Sequence, residues 1–173
     1  MSHQLMSLNG NTSDRLSALT AGEGVIFVGA NGSDNYDQSS ASGFTAGSKL
    51  FFYDTDPFLG ITGASLNTSS GWTNEVTLPA GNYYIQAFFG ATFSSSGGLT
   101  YKISIDNVAQ LNQGSVGGTV GSNDGGPICS TYAELSSSAV ITVTVSAATN
   151  VESVANQSTT PSKESWLMIR GIA

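Results

Sequence analysis

Leu78-Pro79-Ala80-Gly81-Asn82-Tyr83-Tyr84-Ile85-Gln86-Ala87-Phe88-Phe89 is the stretch on which the fold turns. Pro79 and Gly81 stand two residues apart, in the order a β-turn prefers. Tyr83, Ile85, Ala87 and Phe89 then alternate with Tyr84, Gln86 and Phe88. A period of two sends one set to a core and the other to the opposite face of a sheet. Upstream, Val76 and Leu78 lead into the turn, and Leu50-Phe51-Phe52-Tyr53 is a short apolar run ended by Asp54-Thr55-Asp56-Pro57. Downstream, Leu99, Tyr101, Ile103 and Ile105 alternate with Thr100, Lys102, Ser104 and Asp106, and Ile141, Val143 and Val145 with Thr142, Thr144 and Ser146. Between these two runs lies Cys129 to Leu135, and the chain closes on Trp166-Leu167-Met168-Ile169-Arg170. The Gly-, Ser- and Asn-rich stretches Gln110 to Pro127 and Asn150 to Lys163 read as connections. Short alternating runs with uneven connections predict an antiparallel sandwich or barrel of about eight strands, linked in the Greek-key manner.

Composition agrees. The 173 residues are 39% apolar and only 10% charged, and Gly contributes 21. Ser and Thr take the place of charge as polar filler, which disfavours helices and suits strands and turns. The net charge of −7 comes from 12 acidic and 5 basic residues. Arg15, Lys49, Lys102, Lys163 and Arg170 form no basic stripe, so nucleic-acid binding is not expected. The longest apolar stretch, Gly24 to Ala30, is far short of the ~20 residues of a membrane helix, and no membrane partner is expected. The opening MSHQLMSLNGNTSDRL has neither a basic start nor an apolar run, so no signal peptide is expected. Cys129 is the single cysteine, and its strand-like setting points to a buried structural thiol.

Residues 1–40 differ from the rest and read as an N-terminal arm and linker ahead of a domain spanning 41–173. Their one β-like run contains Val25, Ile26, Phe27 and Val28, which cannot bury itself. It reads either as an anchor that adds a strand to a partner sheet or as the first strand of the chain's own domain.

Two motifs carry a family resemblance. Leu78-Pro79-Ala80-Gly81-Asn82-Tyr83-Tyr84-Ile85 resembles a segment of jelly rolls of the tumour necrosis factor and complement globular-head type. Ser165-Trp166-Leu167-Met168-Ile169-Arg170 is similar to the last strand of such domains in bacteriophage structural proteins. The two motifs and the β-rich spacing between them cover roughly residues 45–173. The resemblance implies an all-β jelly roll of eight to ten strands that associates as a homotrimer. With no long stalk, the chain is more similar to phage head-decoration proteins and head fibres than to long tail fibres. If Tyr83 and Ile85 face the core, Tyr84, Gln86 and Phe88 face outward, as do Trp166 and Met168 on the last strand. Large outward aromatics need a covering surface, and the resemblance places the threefold axis there. These five residues are therefore the expected trimer seam. The alternative is that Tyr84 and Trp166 cap the end of the monomer's core.

Chemistry-bearing constellations are few. His3 is the only histidine, and no Ser-His-Asp or Cys-His set can be assembled around it. Asp54/Asp56 and Asp34/Asp37 are carboxylate pairs in turn-forming sequence, where Asp is common for local hydrogen bonds. Asp34-Asn35-Tyr36-Asp37 and Ser122-Asn123-Asp124-Gly125 offer oxygen ligands without the spacing of a calcium loop. One Cys and one distant His cannot make a zinc site. No enzyme, cofactor or metal is expected. The Asn-x-Ser matches at Asn11, Asn31, Asn67 and Asn156 are about as many as chance gives in a chain this rich in Asn, Ser and Thr. Gly114 to Gly126, between strands and with no Lys after it, is no phosphate cradle.

The expected function is that of a virion structural protein: a trimeric decoration protein on the capsid surface, with the major capsid protein as its partner. The alternative is a receptor- or glycan-binding tip of a phage fibre, in which Trp72 and Phe93, read as loop aromatics, would stack on host-surface sugars.

Overall fold

The alternation around Tyr83 and Ile85 resolves into strands. The computed structural model describes residues 24–29, 38–39, 44–54, 57–69, 72–118, 128–155 and 165–172. The elements in chain order are β1 (Val25–Gly29), β2 (Gln38–Ser39), β3 (Phe52–Tyr53), β4 (Phe58–Leu59), β5 (Ser65–Ser69), β6 (Trp72–Leu78), β7 (Gly81–Phe88), β8 (Gly90–Ile105), β9 (Val108–Gly118), β10 (Cys129–Leu135), β11 (Ala139–Ala155) and β12 (Trp166–Ile172). Five strands form one sheet in the order β10-β7-β12-β1-β4. The second sheet runs β3-β6-β11-β8-β9, with β2 added on β11 and β5 on β6. Every pairing is antiparallel.

From β6 onward the chain changes sheet at every connection except the β8–β9 hairpin. The result is an antiparallel jelly-roll sandwich, as expected. One crossing is made by Phe89 alone, whose buried N–H donates to the Tyr101 hydroxyl at 3.2 Å while Gly90 N–H donates to Ser165 Oγ at 3.3 Å. The hairpin turns on Asp106 and Asn107, both at positive φ (48° and 66°), the requirement of a two-residue type I′ turn. Asp106 also accepts from Val140 N–H through Oδ1 at 2.8 Å, which ties the turn to β11.

The core lies between the sheets and holds the inward set of the alternation: Tyr83, Ile85, Ala87, Tyr101, Ile103, Ile141, Val143, Leu167 and Ile169, all buried. Cys129 is buried with them, and its thiol donates to Asn112 O at 3.4 Å. Burial pushes the thiol pKa up, so it stays protonated and structural.

Three expectations are corrected. Val25, Ile26, Phe27 and Val28 are not an anchor for a partner sheet: β1 is hydrogen-bonded to β12 on one side and β4 on the other, and Ile26 and Val28 are fully buried. A strand with both edges paired has no free ladder to offer. The division at residue 40 falls likewise, because β1 and β2 belong to the sandwich. Residues 1–23 of the arm lie outside the described residues. The Gly-rich stretch after Gln110 is strand as far as Gly118, and β11 continues through Asn150 to Ala155. Glycine is required at one point of β9, since a Cβ on Gly114 would sit 2.4 Å from the Tyr101 ring that packs across it. In β11, register shifts on either side of Asn150, at φ 54°, absorb the irregularity, and its side-chain amide donates to Ser96 O at 2.8 Å.

Candidate functional site

Because β7 and β12 point Ile85 and Ile169 inward, their alternate residues line the outer face of the five-stranded sheet. The register arranges this face in rows running across the strands. One row holds Ser130, Gln86, Met168, Phe27 and Phe58. The next holds Phe88 and Trp166, with Gly29 beyond them. A third holds Tyr132, Tyr84, Arg170 and Val25. All five expected seam residues, Tyr84, Gln86, Phe88, Trp166 and Met168, stand together here. Tyr84 and Trp166 lie on this outer face and not over the end of the core.

The rings are organised among themselves. Trp166 stacks on Phe88 at 6.0 Å between centroids with an interplanar angle of 16°, and on Phe27 at 6.4 Å and 24°. Gly29 is the reason Phe27 can lie there: a Cβ on it would come within 2.6 Å of the Phe27 ring. The end of β1 is fixed by Gly29 N–H donating to the buried Asp54 carboxylate at 2.9 Å. Gln86 Nε2 donates to the Tyr84 hydroxyl at 3.4 Å. Of the stacked rings Trp166 and Phe88 are half-buried and Phe27 is 42% exposed, and around them Phe58 is 61%, Tyr132 51% and Tyr84 37% exposed. Ile128, just before β10, is exposed as well.

Sequence reasoning found five members of this face and missed Phe27, Phe58 and Tyr132. Tyr132 was within reach, since it falls on the outward phase of Cys129 to Leu135. Phe27 was hidden in an unbroken apolar run, which shows no period. Phe58 sits in a strand of two residues, too short to have one.

The remaining candidates do not converge. Phe93 is fully buried within β8, and so is not a loop aromatic available to a sugar. Trp72 is half-buried at the start of β6, edge-on to Phe51 at 6.3 Å. Asp54 is engaged at β1, while Asp56, Asp34, Asp37, His3 and Ser122 to Gly125 lie outside the described residues. Asn67 is exposed on β5 and donates to Glu75 at 3.0 Å. Among the described residues no group of three or more His, Cys, Asp or Glu is placed to hold a metal ion. The outer face of the second sheet carries a shallow groove of about 340 Å³ of mixed lining, with Lys102, Ser104, Asn107, Thr144 and Ser146 beside Ala109 and Val145.

No family model and no curated protein matches the sequence. Among solved structures the chain is similar to an Eiger TNF from S. frugiperda, at 15% identity and a TM-score of 0.48, over 86% of this chain and 92% of that one. The strand order and register establish the fold independently of that likeness.

Proposed function

We propose that the protein is a structural, non-enzymatic module that works as a homotrimer on a virion surface, where it decorates the capsid through contact with the major capsid protein. The observation that carries the self-association is the outer face of the five-stranded sheet. Its stacked and exposed aromatics, with Met168 and Arg170 among them, have the composition of an interface core. Trp, Tyr, Phe, Met and Arg are the side chains enriched where protein surfaces meet. Left in water, a contiguous apolar patch of this kind is a liability that monomeric proteins avoid. The virion setting rests on the similarity of Ser165–Arg170 to the last strand of phage structural domains. Its physical logic is multivalency: three copies seated on a local threefold convert weak contacts per subunit into tight binding.

Two measurements test this in order. Light scattering on the purified protein should give three times the 17.7 kDa chain mass; a monomer at all concentrations overturns self-association. Quantitative peptide mass spectrometry of virions should then give tens to hundreds of copies in fixed ratio to the capsid protein. A handful of copies would move the protein to a fibre or vertex. A glycan-binding role is the second reading. It is favoured by the groove around Lys102, whose ammonium and hydroxyl lining suits acidic sugars, and a glycan titration followed by the Lys102 and Thr144 resonances tests it.

A further inference from the structure

The outer face of the five-stranded sheet carries two charged side chains among its described residues. Glu134 is exposed near the end of β10, an edge strand, and Arg170 is exposed on β12 at the centre of the sheet. Glu134 is opposite Asn82, and Asn82 opposite Ile172, two residues beyond Arg170. That register separates the two charges by two strands and one two-residue step, roughly 12 Å between Cα atoms. Asn82 and Tyr84 occupy the β7 positions between them, and no ion pair joins the two charges within the chain. In a molecule of net charge −7 the described residues of this face are neutral, with one charge of each sign.

We propose that Glu134 of one copy pairs with Arg170 of the next, and that this pair sets the register of the trimer seam. The inference rests on the self-association reading above. In a trimer no two-fold axis relates neighbouring copies, so an edge residue of one copy that meets a central residue of the next makes a head-to-tail contact. Head-to-tail contacts close into rings when the rotation allows. In a ring of three, every subunit gives Glu134 to one neighbour and Arg170 to the other, so three identical pairs form and no charge is stranded. The surrounding rings supply area without direction; the two charges supply direction, since any register that brings Arg170 to Arg170 or leaves either charge buried alone is penalised.

The test is a charge-reversal cycle on the full chain, read by sedimentation equilibrium. Arg170→Glu and Glu134→Arg should each raise the subunit concentration of half-dissociation at least about tenfold, and the double variant should return to within about threefold of wild type. Both residues are exposed, and circular dichroism verifies that each variant is folded. Arg170→Gln, which adds no opposing charge, should show a smaller loss than Arg170→Glu. A wild-type protein that is monomeric throughout overturns self-association and the pairing with it. A wild-type trimer that either single variant leaves intact overturns the pairing alone, as does a double variant no better than the worse single one.

Discussion

The two sheets of this sandwich bury equivalent inner faces and present opposite outer ones. On the five-stranded sheet the outward positions hold Tyr84, Phe88, Trp166, Met168 and Phe27. On the second sheet they hold Thr100, Lys102 and Ser104 of β8 beside Thr144 and Ser146 of β11. There the polar groups satisfy one another across strands: Ser104 and Thr144 hydroxyls are 2.9 Å apart, Thr92 and Ser153 hydroxyls 2.6 Å, and Lys49 pairs with Glu75. The backbone is the same kind of antiparallel ladder on both sides. The difference lies in which residues occupy the outward phase: aromatics gather on the first face, while on the second the large exposed apolar side chains among the described residues, Val108 and Leu111, are confined to the edge strand β9.

That contrast breaks most directly by placing the same charge on each face. Tyr84→Glu sets a carboxylate on the aromatic face that a second copy would desolvate, an arrangement that costs several kcal/mol when the charge is left unpaired. The variant should run as a monomer or aggregate under conditions where wild type runs as a trimer. Thr144→Glu, on the hydroxyl face, should leave the mass unchanged. Equal behaviour of the two variants in light scattering would erase the distinction between the faces.

A second test concerns how Trp166 is held. Gly29→Ala forces the Phe27 ring off its position on Trp166, because the added Cβ and the ring cannot share the space. The ring is a movable side chain, so the fold should lose only about 1 kcal/mol. The tryptophan emission should shift and the trimer should weaken. A variant with unaltered emission and association would mean that the stack plays no part in the seam.

Hydroxyls suit the second sheet only where they have partners. The Thr73 and Thr142 hydroxyls are buried without one among the described residues, around a void too small to hold water. A buried unpartnered hydroxyl costs about 1–3 kcal/mol. Thr73→Val should therefore raise the midpoint of thermal unfolding, by about 1 kcal/mol in stability; a fall would place an unseen partner at that oxygen.

How much of this was legible in the sequence depends on how far a side-chain period survives. Around Ile85 and Ile103 every second residue is apolar, so both the strand and its outward set, Tyr84 and Lys102 alike, could be read at once. The first half of β8, with Ser94-Ser95-Ser96-Gly97-Gly98, and most of β9 have no such period. They are strands because β8 is paired to β11 on both sides of Ser94–Gly97, at Gly90–Phe93 and at Gly98–Ile105, and to β9 from Gly97 onward, and because Tyr101 covers Gly114. Those are tertiary causes, which local pattern does not record. The same limit hid Phe27 and Phe58, and it hid the relation of Glu134 to Arg170, which exists only once the cross-strand register is known.

The smallest effect sharpens the contrast from the polar side. The Glu75 carboxyl on β6 is held below its usual range, first by the hydrogen bond from Lys49 and then by the one from Asn67. The folded protein therefore binds this proton less readily than the unfolded chain. The contribution is fully present above the unfolded value of 4.5 and is lost as pH falls through the lower folded value. Both side chains are about a third exposed or less, near enough to water that screening keeps the pair to about 0.5 kcal/mol. Glu75→Gln should lower stability by that amount at pH 7, match wild type near pH 2, and leave the trimer mass unchanged at neutral pH. A loss of association in Glu75→Gln would show that the hydroxyl-rich face also meets a second copy, and the division between the two faces would have to be redrawn around both.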